Sequence, residues 1–236
     1  MKYRPQESED GIVLTPDSPA GASVIWLHGL GADGYDFVPI VSELGLPAEA
    51  AVRFVFPHAP VRSVTINNGM RMRAWYDITG VDIGAREDAA GVRESALTVE
   101  RLIEREREAG LAANHIIIAG FSQGGAIALY AGLRHAEALA GVLALSTYLP
   151  LRSELAQAAA ANRSTPILMC HGRFDPIIPY AVGEGSRDLL RAHGYAVDWR
   201  GYDMQHEVCR AEIAAIGAWL AERYGAASVR SSSSAK

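Results

Sequence analysis

The segment Ile116-Ile117-Ile118-Ala119-Gly120-Phe121-Ser122-Gln123-Gly124-Gly125 constrains this chain more than any other. A β-branched run meets a Gly-x-Ser-x-Gly sequence and passes straight into the small, apolar stretch Ala126–Ala131. Such a run, short and without alternation, suits a strand covered on both faces, and the small apolar stretch after it suits a buried helix. With no loop between strand and helix the backbone must reverse sharply, and Gly120 and Gly124 have no Cβ to obstruct that turn. Ser122 then stands at a helix N-terminus, where free N–H groups and the helix dipole favour developing negative charge. Two readings fit: a nucleophile held out from the end of a sheet, or an ordinary N-cap in a tight strand–helix turn.

The rest of the chain repeats the alternation. Strands are expected at Gly11–Thr15, Ser23–Leu27, Val52–Phe56, Ile116–Ala119, Val142–Leu145, Ile167–Cys170 and Val197–Tyr202. Helices are expected at Ala85–Ala109 (closed by Gly110), Gln123–Arg134, Arg152–Ala161, Tyr180–Ala192 and Glu207–Tyr224. Strand–helix alternation implies an α/β fold with a mostly parallel sheet and right-handed crossovers. The long segment Pro57–Gly84 has weak periodicity, and its Trp75-Tyr76 pair reads equally as part of a functional loop or as cover for a sheet edge.

At 236 residues the chain suits one α/β domain, expected over 11–225, with tails at 1–10 and 226–236, the second Ser-rich and expected to be disordered or a remnant of cloning. The net charge of −5 argues against nucleic-acid partners. The arginines Arg101, Arg105 and Arg107 alternate with glutamates, as on a solvated helix face. No stretch reads as a secretory leader or a membrane span. Cys170 and Cys209 are too few for a disulfide framework and are expected to be free thiols. A cytoplasmic protein without integral membrane association is expected.

A serine hydroxyl needs a base to take its proton. In sheets that present a serine this way, acid and then histidine come after it along the chain. Among the later histidines, His135 precedes any suitable acid, His171 precedes Asp175, and His193 reads as a helix C-terminal cation. His206 lies between the last strand and the last helix. Asp175, in His171-Gly172-Arg173-Phe174-Asp175-Pro176, comes after another strand; Asp198 and Asp203 are its rivals. The loop His28-Gly29-Leu30-Gly31 closes an early strand, and the amides of Leu30 and Gln123 are the expected oxyanion donors. His28 has no partner at metal-ligand spacing, so it is expected to hydrogen-bond within its own loop.

Taken together, His28-Gly29-Leu30-Gly31, Pro57-His58-Ala59-Pro60, Trp75-Tyr76-Asp77, Gly120-Phe121-Ser122-Gln123-Gly124-Gly125, Asp175-Pro176 and His206-Glu207-Val208 resemble the phospholipase/carboxylesterase family, which includes bacterial carboxylesterases and acyl-protein thioesterases. The resemblance runs from about Ser23 to Tyr224. It implies an α/β-hydrolase domain, a Ser122–Asp175–His206 triad, no cofactor, no metal, and hydrolysis of carboxylic ester or thioester bonds. It also implies that Trp75 and its loop shape the acyl pocket. Gln205 departs from the pattern, since many relatives have glycine there; a turn needing positive φ would strain it.

The stretch Ser146–Thr165 is too short for a large cap domain, so the site is expected to be open. Leu30, Met70, Trp75, Ile78 and Ile178 are the apolar candidates for substrate contact. The leading expectation is a carboxylesterase for short to medium acyl groups, with a protein deacylase as its near rival and a non-catalytic ligand-binding protein as the alternative of another class. A homodimer is compatible with the sequence.

Overall fold

Ile116, Ile117 and Ile118 are fully buried in the strand Ile116–Phe121, the fifth in an eight-stranded sheet. The structure is a computed structural model that describes residues 3–80 and 87–233. Its strands are β1 (Tyr3–Ser8), β2 (Gly11–Pro16), β3 (Ala22–Leu27), β4 (Val52–Pro57), β5 (Val61–Val64), β6 (Met70–Arg73), β7 (Ile116–Phe121), β8 (Gly141–Leu145), β9 (Ile167–Gly172) and β10 (Val197–Tyr202). The helices are α1 (Ala89–Glu108), α2 (Gln123–Gly132), α3 (Tyr180–Ala192) and α4 (Arg210–Ser233). The sheet order is β1-β2-β4-β3-β7-β8-β9-β10, while β5 and β6 pair as a separate hairpin. From β4 to β10 every neighbouring pair is parallel; β1 and β2 add an antiparallel edge. This is the α/β-hydrolase arrangement.

Alternate residues of each central strand feed opposite faces, as the two-residue strand period requires. On one face Ile25, Leu27, Ile116 and Ile118 meet Val92, Val99 and Ile103 of α1 and Ile127 of α2. On the other, Val24, Trp26, Ile117 and Leu143 meet Ile213, Ile216, Trp219 and Leu220 of α4. Full burial of each such side chain stabilises the fold by about 1.5–3 kcal/mol.

The sheet also has a topological switch. From β3 the chain first adds β4 on one side, and later β7 on the other. Connections leaving the C-terminal ends of β3 and β7 therefore diverge and open a crevice there, the usual position of a ligand site in open α/β sheets.

The larger differences from expectation lie at the two ends of the chain, at the start of α1 and in the segment 152–162. Residues 3–8 form edge strand β1, not a tail; the polar sequence hid it because one neighbour, β2, supplies all its pairing. Helix α1 starts at Ala89, because the Asp88 side chain caps it by accepting from Gly91 N at 2.9 Å. The expected helix 152–161 is two 3₁₀ stretches, Arg152–Gln157 and Ala160–Asn162. Between them Ala158 and Ala159 are extended, and Ala159 N donates to Leu133 O. Helix α4 runs on to Ser233, past the expected end at Tyr224. Residues 81–86, which include the end of the irregular segment and the expected first residues of α1, lie outside the described residues, as do 234–236.

Candidate functional site

Ser122 directly succeeds β7 at φ 54°, ψ −119°, a conformation rare for a residue with a Cβ. Its neighbours hold it there. Ser122 N donates to Leu145 O at 2.8 Å, and Thr147 Oγ1 donates to Ser122 O at 2.6 Å. A Cβ on Gly120 would lie 2.2 Å from Gly124 O, and one on Gly124 only 2.4 Å from Leu27 O. The Gly-x-Ser-x-Gly sequence is thus explained by two backbone approaches, one within the turn and one between the turn and the end of β3. The second brings the His28–Gly31 loop against Ser122: a Cβ on Gly29 would lie 3.6 Å from Ser122 Cβ.

The loops after β9 and β10 supply the other two groups. Asp175 Oδ2 accepts from His206 Nδ1 at 2.7 Å, and Oδ1 accepts from Ile177 N and Ile178 N, each at 2.8 Å. Burial pushes the Asp175 carboxyl up, but His206 and the two amides outweigh it and hold it below the usual carboxylate range. The two loops are tied together, with Arg173 N donating to Tyr202 O and Phe174 N to Met204 O. Gly172 permits this, since a Cβ there would lie 2.2 Å from Gln205 O. Gln205 itself is not among the positive-φ residues, so its departure from the family pattern strains nothing. The rival acids are engaged elsewhere: Asp198 with Arg200 and Asp203 with Arg173, both at 2.7 Å. Of the other histidines, His135 Nδ1 lies 2.9 Å from Glu100, and His193 caps the end of α3.

Ser122 and His206 line one recess of about 710 Å³, together with Leu30, Phe121, Gln123 and residues 176–179. That volume suits a drug-sized ligand. Among the described residues no acceptor takes the amide of Leu30 or Gln123, whereas the next amide, Gly31 N, donates to Arg73 O at 2.9 Å. His28 is buried and fully used: Nδ1 lies 2.7 Å from Gly29 O, and Nε2 accepts from Ala59 N at 3.0 Å. Burial pushes its pKa down to about 4, so the ring is neutral, and Ala59 occupies the lone pair a metal would need. Both cysteines are free thiols, with Cys170 buried.

Of the expected substrate contacts, Leu30, Ile78 and Ile178 line the recess, and Met70 and Trp75 do not. Met70 is 64% exposed on the hairpin. Trp75 is fully buried: Nε1 donates to His28 O at 2.9 Å, its N–H donates to Gln123 Oε1 at 2.8 Å, and its carbonyl accepts from Ser95 Oγ. It joins the β3 loop, α1 and α2 from behind the recess. Gln123 Nε2 also donates to Tyr76 O at 2.7 Å, so one side chain pairs with the backbone of two successive residues. The adjacent Tyr76 does reach the recess, where its hydroxyl lies 2.8 Å from that of Tyr148. The sequence reasoning missed Tyr148, Ile66, Ile177 and Asp36 in the lining. Adjacency to Asp175 and Ile178 was a usable signal for Ile177; the others reach the recess only through the tertiary fold.

A strand–serine–helix turn beside a carboxylate–histidine pair, at the crevice of a mostly parallel sheet, defines a serine hydrolase of the α/β-hydrolase class. The phospholipase/carboxylesterase profile matches residues 9–223, and the chain belongs to that family. It is 41% identical to acyl-protein thioesterase 1 of Neurospora crassa over 212 residues, 86% of each chain. It is 36% identical to acyl-protein thioesterase 1 of Gibberella zeae over 219 residues, 89% of this chain and 93% of that protein. Among solved structures, Arabidopsis thaliana SOBER1 superposes with a TM-score of 0.82 at 30% identity, covering 86% of this chain and 99% of that one. Zea mays acyl-protein thioesterase 2 gives 0.80 at 28% identity, covering 90% of this chain and 97% of that one. The protein is therefore a carboxylic ester hydrolase of the esterase/thioesterase kind. Among the described residues no helix is long and apolar enough to cross a membrane.

Proposed function

We propose that the protein hydrolyses acyl thioesters and esters through an acyl-enzyme on Ser122, with S-acylated cysteines of cytoplasmic proteins as its favoured substrates. The reading is carried by the 2.7 Å Asp175–His206 hydrogen bond, which holds from behind the histidine that lines the same recess as Ser122. The thioester preference is supported by the acyl-protein thioesterases that match nearly the whole chain.

Since Nδ1 of His206 faces Asp175, Nε2 is the nitrogen that takes the Ser122 proton as Oγ attacks the acyl carbon. Asp175 stabilises the imidazolium. The amides of Leu30 and Gln123 hold the tetrahedral oxyanion, and losing one such donor costs about 10²–10³ in rate. The thiol or alcohol departs with a proton from His206, and water activated by the same nitrogen releases the acid. Leu30, Ile78 and Ile178 contact the acyl group.

A second reading, a carboxylesterase for small esters, is favoured by the polar part of the wall, where Asp36, Asn67, Asp77 and the Tyr76–Tyr148 pair face the recess. Hydrolysis of an S-acylated peptide and of esters of increasing acyl length separates the two. The thioesterase reading expects the highest kcat/KM on the acylated peptide; a preference for short esters replaces it with the second. Ser122→Ala is expected to abolish fluorophosphonate labelling and to lower turnover about 10⁴–10⁶-fold. Retained turnover in that variant ends the nucleophile assignment.

A further inference from the structure

Asp175 faces two imidazoles, not one. Beside His206 stands His171, near the end of β9 and wholly buried. Its Nε2 lies 3.6 Å from Asp175 Oδ2, the oxygen that His206 occupies at 2.7 Å. The carboxylate does not hold the His171 proton. Nε2 lies 2.8 Å from Ile178 O, and a carbonyl only accepts, so Nε2 carries the hydrogen and gives it to that peptide.

The opposite nitrogen is closed off. His171 Nδ1 is buried without a hydrogen-bond partner, and a Cβ on Gly183 of α3 would lie 2.5 Å from it. Trp199 stacks on the ring and Tyr180 meets it edge-on. A second proton would have no acceptor, so the ring stays neutral. Burial drives its pKa down, against the raising effects of Ile178 O, Asp175 and Glu184, and His206 lowers it further.

The residue whose carbonyl accepts from His171 also serves Asp175 through its other polar group: Ile178 N–H donates to Asp175 Oδ1 at 2.8 Å. A chain of contacts therefore runs from the His171 ring, through both polar groups of residue 178, to the carboxylate. We propose that His171 is a positioning residue for the Asp175–His206 pair: its Nε2–H anchors the Ile178 carbonyl, so that the backbone of residue 178 is held with its N–H aimed at the carboxylate, and the Asp175 charge is left to His206 alone. This rests on Asp175 and His206 acting as proposed above.

The test uses His171→Phe, which keeps the aromatic stack and loses the donor, and His171→Gln, whose amide reaches a similar distance with a donor at its end. His171→Phe is expected to lower kcat roughly 10–100-fold with KM within about twofold, the scale of an ångström-sized misplacement in a catalytic group. The acid limb of its kcat/KM–pH profile should move to lower pH, because a misaimed Asp175 supports the imidazolium less. The downfield proton resonance of the His206–Asp175 hydrogen bond should shift with it. His171→Gln should restore all three.

Gly183→Ala presses on the same ring from the opposite side and should give the same signature, so the test survives if the Phe variant does not fold. Wild-type kcat, pH profile and resonance in His171→Phe or Gly183→Ala overturn the inference. So does a loss of activity that tracks thermal stability while profile and resonance stay put. Asp175→Ala and His206→Ala serve as controls. Full activity in those two defeats the triad reading itself, whereas their inactivity beside an unaffected His171→Phe defeats only the role of His171.

Discussion

The turn around Ser122 and the excursion from His58 to Gly80 border the same recess and are built by opposite means. The turn is fixed by backbone atoms. Its strand, its left-handed serine and its helix are consecutive in sequence, and Gly120 and Gly124 are required by backbone oxygens 2.2–2.4 Å from where a Cβ would lie, one inside the turn and one at the end of β3. The excursion is held from outside: His28 takes Ala59 N, Gln123 takes Trp75 N and gives to Tyr76 O, and Asp88 takes Asp77 N. Every one of those partners lies far along the chain or on another element. A motif is readable where the backbone itself forbids other residues, and obscure where a distant side chain supplies the constraint.

The largest expected effect falls on the turn. Gly124→Ala puts a methyl 2.4 Å from Leu27 O and should cost on the order of 3 kcal/mol or more, read as a lowered midpoint in urea, with most esterase activity lost. A midpoint within about 0.5 kcal/mol of wild type would mean the turn has room, and the contrast between the regions would collapse.

Gln123→Leu attacks the excursion from the turn. It orphans the buried Trp75 N–H and Tyr76 carbonyl, at about 1–3 kcal/mol each. Proteolysis and hydrogen exchange should localise the loosening to residues 74–80; uniform loosening would show that the excursion is anchored in some other way. Trp75→Phe removes one hydrogen bond, Nε1 to His28 O, while keeping most of the apolar ring, and should cost about 1 kcal/mol. Its substrate profile should stay unchanged, since Trp75 is absent from the recess; an altered acyl-length preference would return Trp75 to the pocket. The smallest effect belongs to Met70→Ala, within about 0.5 kcal/mol of wild type and with unchanged kcat/KM on small esters, because the side chain is largely exposed.

The same contrast explains what the sequence revealed of the site. The order Ser122, Asp175, His206 was visible because each residue comes after a strand, and parallel strands deliver their C-terminal ends to one rim. That Trp75 is buried behind the recess was not legible, because an aromatic in a long irregular segment looks the same from sequence whether it lines a pocket or fills the core. Tyr148 and Ile66 were missed because nothing local marks them. The tail at residues 3–8 proved to be a strand because edge pairing needs only backbone groups, which exposed polar side chains do not reveal.

By itself the sequence determined the parallel sheet and the sharp turn at Ser122, since strand runs, helix runs and a serine flanked by glycines with no loop between them are visible along the chain. Only the tertiary structure decided which side chains form the recess, that Trp75 braces three elements, and that His171 gives its proton to a peptide beside Asp175. Those depend on distances between residues far apart in the chain, which packing sets and sequence spacing does not.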